Sequence, residues 1–137
     1  MNLPIAYRWF LAKKITRWQP WYFVHTKETA LTNPIVAENK SFAHAFKIET
    51  GADFDVCLFA RRQDMDTVAF FILKNGAIED NVITIHLSFA QKPELRAPLL
   101  YSAMQPAQSF TQWVRKVVIS DVEDWISEED MEDEHEL

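Results

Sequence analysis

A chain of 137 residues with 48% hydrophobic and 13% aromatic side chains can close a substantial core, which excludes a disordered protein and favours one domain. Its longest apolar run, Val68 to Leu73, is far too short to cross a bilayer, Arg8, Lys13 and Lys14 bracket too short a stretch for a secretory signal, and Cys57 alone allows no internal disulfide, so a soluble cytoplasmic protein is expected. The net charge of −6 hides ten acids and no Lys or Arg from Asp121 to Leu137, against a body that holds all fourteen basic residues, and such an acidic end disfavours binding to DNA or RNA.

Leu3-Pro4 opens the first periodic segment, with proline suited to a first helical turn. Ile5, Trp9 and Lys13 share one face with Ala6 and Phe10 beside it, which predicts a helix to about Lys14. Pro20 ends helical options in "ITRWQPWYFV", so Trp21 to Val24 is predicted to be extended on the core. Residues 26–41 are the least patterned, with a turn at Asn33-Pro34. Phe42, His44, Phe46 and Ile48 alternate with Ala43, Ala45 and Lys47, the period of a half-buried strand closed by a turn at Gly51.

Val56 to Ala60 and Val68 to Leu73 are apolar runs rich in branched and aromatic side chains, and either can be buried on both faces. Six mostly polar positions, Arg61 to Asp66, separate them. Asn75-Gly76 marks a turn before the strand "NVITIHLSF". Short connections between neighbouring strands favour an antiparallel meander over a βαβ unit. Ser109 and Gln112 form a capping box, and Phe110, Trp113, Val114, Val117 and Val118 follow at helical spacing. Val122, Trp125 and Ile126 continue that stripe after an irregularity near Ser120, and beyond Ser127 the acidic composition predicts a flexible end. The fold class expected is α+β: one domain, residues 1–126, mainly an antiparallel sheet with an N-terminal and a C-terminal helix packed on it, and an acidic tail over 127–137.

Catalytic signatures are missing. With two glycines there is no phosphate-binding loop or dinucleotide fingerprint, and there is no G-x-S-x-G turn. Cys57 lies within an apolar strand, as a packed thiol rather than a nucleophile. His44 and His86 both fall on predicted strands and could be neighbours with Asp64 or Asp66 in a metal or acid–base site, but no ligand spacing organises them. "DMD" lacks the glycine of a calcium loop. No metal and no cofactor is expected. On a strand, Arg61 and Arg62 point to opposite faces, so only one can readily pair with the carboxylates of the turn.

"LFARRQDMDTVAFFIL" resembles the stretch F-A-R-R-x-D-x-D-x-x-A-x-F of bacterial members of the SUKH superfamily, the Knr/Smi-type domains. Val82-Ile83-Thr84-Ile85-His86 and Ser109-Phe110-Thr111-Gln112-Trp113 resemble the family's V-I-x-I-H strand and S-F-x-x-W helix, in the same order. "LPIAYRWFL" and "PWYFV" look like its opening helix and aromatic segment. The likeness covers residues 3 to about 118; Met65 and Thr67 stand where glycine is common in the family, and residues 26–52 match nothing in it. The resemblance implies a non-enzymatic domain, an immunity protein that neutralises a cognate bacterial toxin by binding it and occluding its active site. The alternative is a regulatory or scaffolding module that binds a host protein. On that reading Arg61, Arg62, Asp64 and Asp66 are the first candidate contacts, with His86 and the aromatics Trp18, Trp21 and Tyr22 second, because arginine and aromatic side chains dominate interface energetics. The acidic tail is either a solubilising end or a mimic of nucleic-acid phosphate toward a nuclease toxin.

Overall fold

Four strands form one antiparallel sheet in the order β1-β2-β3-β4, from β1 (Trp21–Phe23) through β2 (Asp55–Arg62) and β3 (Thr67–Lys74) to β4 (Ala77–His86). The structure is a computed structural model that describes residues 2–32, 37–64, 66–87 and 108–126. Helix α1 (Ile5–Ala12) precedes the sheet, and α2 (Lys27–Thr32) and α3 (Ala37–Thr50) lie between β1 and β2. A C-terminal helix runs as α4 (Phe110–Trp113), a π-helical turn (Val114–Val118) and α5 (Ile119–Trp125). This is the α+β architecture that the strand pattern and capping box predict. The Asn33-Pro34 turn, Met65, the end of the "NVITIHLSF" strand at Ser88-Phe89 and the acidic segment 127–137 lie outside the described residues.

The two apolar runs are central because both their faces are covered. Cys57, Phe59, Ala69 and Phe71 join Leu3, Tyr7, Leu11, Trp21, Phe110 and Trp113 in one core beneath α1 and the C-terminal helix. Val56, Leu58, Val68 and Phe70 join Phe42, Ala45 and Phe46 in a second core beneath α3. The sheet is therefore the middle of three layers, which is why Val56 to Ala60 reads as a continuous apolar run and is buried throughout.

Segment 37–50 corrects the expected strand. Its buried residues are Phe42, Ala45, Phe46, Glu49 and Thr50, a helical spacing, while His44 and Ile48 face solvent. The Thr50 hydroxyl donates to the Phe46 carbonyl at 2.7 Å, and Gly51, at φ 69°, donates its N–H to Lys47 as the helix ends. On α1 the buried side is Tyr7 and Leu11, with Leu3 buried just before it, so the face carrying Ile5 and Trp9 points outward, at 76% and 52% exposure.

The hairpin and the cap follow the sequence. Asn75 and Gly76 both have positive φ, 53° and 77°, as a two-residue type I′ connection requires. The Ser109 Oγ accepts from the Gln112 N–H at 3.3 Å, and the Gln112 Oε1 accepts from the Ser109 N–H at 3.1 Å. Asp80 Oδ1 accepts the Phe110 N–H at 2.7 Å and the Trp113 indole donates to Thr84 at 2.8 Å, fastening the helix to β4. The irregularity expected near Ser120 falls earlier, in the π-helical turn. One extra residue per turn there rotates the following residues about the axis and brings Asp121 round toward the sheet.

Candidate functional site

Strand register gathers the sequence-predicted residues at one end of the sheet. Trp21 pairs with Arg62, Tyr22 with Arg61, and Thr67 with His86. Leu58 faces Phe70 and Ala60 faces Ala69, so Phe59 is an extra residue, a β-bulge in β2. The bulge decides which face each arginine takes. It turns Arg62 toward the layer of α1 and the C-terminal helix, and Arg61 toward α3; plain alternation from Cys57 would reverse them.

Arg62 is the hub of this end. Its Nε and Nη2 donate to Asp64 at 3.0 and 2.9 Å, a two-pronged pair, and its Nη1 donates to Asp121 Oδ2 at 3.3 Å. The same Asp121 oxygen accepts the indole N–H of Trp21 at 2.7 Å. The guanidinium thus bridges two carboxylates with only 18% of its side chain exposed. Arg61 stacks instead over Phe42, 4.6 Å from the ring centre, and lies 5.9 Å from the Tyr22 ring. Arg62 thus pairs with Asp64 of the turn, while Arg61 lies on the opposite face of the strand. Asp121 is not among the residues the sequence singles out, where it enters only the charge count of the acidic end. Its position between Val118 and Val122 of the helical stripe was the signal that it belongs to the folded body.

The other candidates divide by exposure. Trp21 is 2% exposed and Trp18 is half-buried, stacked near Phe10, so neither is the open aromatic contact expected from the sequence. Their indoles anchor the fold, and cis Pro20 lies in the turn between them. Tyr22, Asp66 and His86 are exposed, with His86 Nδ1 at 3.2 Å from the Thr67 hydroxyl. His44 lies on the outer side of α3, away from the strand position that would have made it a neighbour of His86. Asp64 is committed to Arg62, which removes it from an acid–base pair with Asp66. Burial pushes the Cys57 thiol up to about 12, leaving negligible thiolate near neutrality. Among the described residues, no group of three or more His, Cys, Asp or Glu side chains is placed to hold a metal ion, and no helix is long and apolar enough to cross a membrane.

One buried polar cluster was not anticipated. Tyr7 is fully enclosed, with its hydroxyl 2.9 Å from His25 Nδ1 and 3.2 Å from the Phe59 carbonyl oxygen. The Phe59 carbonyl can only accept, and the direction of the Tyr7–His25 bond follows the imidazole tautomer. Burial raises the Tyr7 pKa well above its ordinary value, so the phenol stays neutral. This triad joins α1, the segment after β1 and the bulge residue of β2. The local sequence "VHTKET" carries no periodicity that announces it.

The fold is that of an α+β domain, and at this end of its sheet Arg62 joins Asp64 to Asp121. No family model matches the chain, and no curated protein or solved structure matches it either.

Proposed function

We propose that this chain is a non-enzymatic protein-binding domain, an immunity protein of the SUKH type that neutralises a bacterial toxin in the cytoplasm by covering its active site. The observation that carries this reading is the end of the sheet, where the Arg62 bridge to Asp64 and Asp121 stiffens the framework around exposed Tyr22, Asp66 and His86. A surface already held in its binding geometry loses little conformational entropy when it docks. Tyrosine and arginine side by side are also the residue types from which interface anchors are built. The sequence resemblance at residues 58–86 supports the same reading, and the acids of α5 and beyond would favour a partner with a basic groove.

The test is co-expression with the product of an adjacent toxin-like gene. A stoichiometric complex that protects cells is expected. Tyr22→Ala and Asp66→Ala should each weaken it about tenfold or more, the effect of an interface anchor. His44→Ala, on the outer side of α3, should leave it unchanged. Neither complex nor protection would end this reading.

A further inference from the structure

A second feature lies beside the sheet end and shares Tyr22 with it. A cleft of about 400 Å³ opens between the end of α1, β1 and the start of α2. That volume falls within the range of about 300–1,000 Å³ typical of small-molecule sites. Its walls are of two kinds. Leu11, Phe23 and the ring of Tyr22 supply apolar surface, and Lys14 and Lys27 supply two ammonium groups. Glu28 is the carboxylate among the lining residues, so the walls carry net positive charge within a protein whose total is −6. Among the described residues, no ion pair engages Lys14 or Lys27.

Two further observations make this more than a surface dent. His25, 4% exposed, also lines the cleft, and its ring is held by the hydrogen bond between Nδ1 and the buried Tyr7 hydroxyl. Lys14 sits at φ 59°, a left-handed conformation met more readily by Gly or Asn. A cation therefore lines the cleft where the backbone alone would favour a different residue.

The geometry points to a binding site for a small organic anion, a carboxylate or phosphate monoester with a compact apolar body. Lys14 and Lys27 would take the charged head, while Leu11, Phe23 and Tyr22 would cover the body.

Titration of the whole chain with phenyl phosphate and with benzoate, followed by amide resonances, tests this. Saturable shifts confined to residues around Tyr22–Glu28 are expected from at least one of the two. The double variant Lys14→Asn/Lys27→Gln keeps a side chain suited to the left-handed position and should weaken that binding tenfold or more, with the remaining spectrum intact. Benzyl alcohol should bind far more weakly, because it lacks the charge. Inorganic phosphate should also bind more weakly than phenyl phosphate, because it leaves the apolar wall bare. Absence of saturable shifts with both anions, equal binding by the double variant, or equal affinity for the neutral alcohol would overturn the assignment.

Discussion

Trp21 donates its indole N–H to Asp121 at 2.7 Å across one hundred positions of sequence, and through that oxygen the C-terminal helix is joined to both β1 and the β2–β3 turn. The bond draws on separate local causes. Strand pairing sets Trp21 opposite Arg62, the bulge at Phe59 turns Arg62 to the same face, and the π-helical turn rotates Asp121 inward. Arg62 and Trp21 then satisfy one carboxylate from two sides, with 23% of the Asp121 side chain exposed.

Removing that carboxylate strands a buried donor. Asp121→Ala leaves the Trp21 N–H without its partner and Arg62 with Asp64 alone, so a loss of about 1–3 kcal/mol in unfolding free energy is expected. Asp121→Asn keeps an acceptor for the indole and should lose less. Urea denaturation of both variants checks the order, and an unchanged midpoint for Asp121→Ala would show that the bridge carries no stability.

The helical assignment of 37–50 makes a pattern of tolerance that a strand would not. Ala45 is buried against the sheet, whereas Ile48 lies on the outer side of α3. Ala45→Asp should cost about 3 kcal/mol or more, by burying an unpaired charge. Ile48→Lys should change stability by no more than about 0.5 kcal/mol, as an open surface substitution does. A strand with Phe42, His44, Phe46 and Ile48 inward would give the opposite order in thermal melts.

At the β3–β4 connection the backbone sets the outcome without side-chain packing. A Cβ at Gly76 would meet nothing within 4 Å, yet its φ of 77° lies in the left-handed region. Gly76→Ala should therefore cost about 1–2 kcal/mol through conformation alone. Asn75→Gly, equally suited to the turn, should stay within about 0.5 kcal/mol. A neutral Gly76→Ala would mean that the turn relaxes to another type.

Where local chemistry decides structure, the residues announced it: Asn75-Gly76, the Ser109/Gln112 cap and the two apolar runs all appear as predicted. Segment 42–48 misled for a geometric reason. Phe42 and Phe46 are four apart, which places them on one face in a strand and in a helix alike, so the deciding residue was Ala45, small and buried at i+3. The sheet end was legible as residue types but not as pairings. Plain alternation could say that Arg61 and Arg62 diverge; only the bulge says which meets Asp121. The Tyr7–His25 contact depends on a long-range approach of α1 to the bulge and had no local mark at all.

Alkaline pH should expose that buried cluster. Burial holds the Tyr7 phenol proton well above its ordinary value of 10.0 and the Cys57 thiol from 9.0 up to about 12. The native protein therefore keeps protons that the unfolded chain releases, and its stability must fall as pH rises. The decline should begin near pH 9 as the unfolded thiol ionises, and steepen above pH 10 as the unfolded phenol follows. Cys57→Ala should remove the first part of the slope, and Tyr7→Phe the second. Tyr7→Phe should also cost about 1–3 kcal/mol at neutral pH, because His25 Nδ1 and the Phe59 carbonyl lose a partner. Urea midpoints measured from pH 7 to 11 separate the two contributions, and a flat profile across that interval would mean that neither proton is held by the fold.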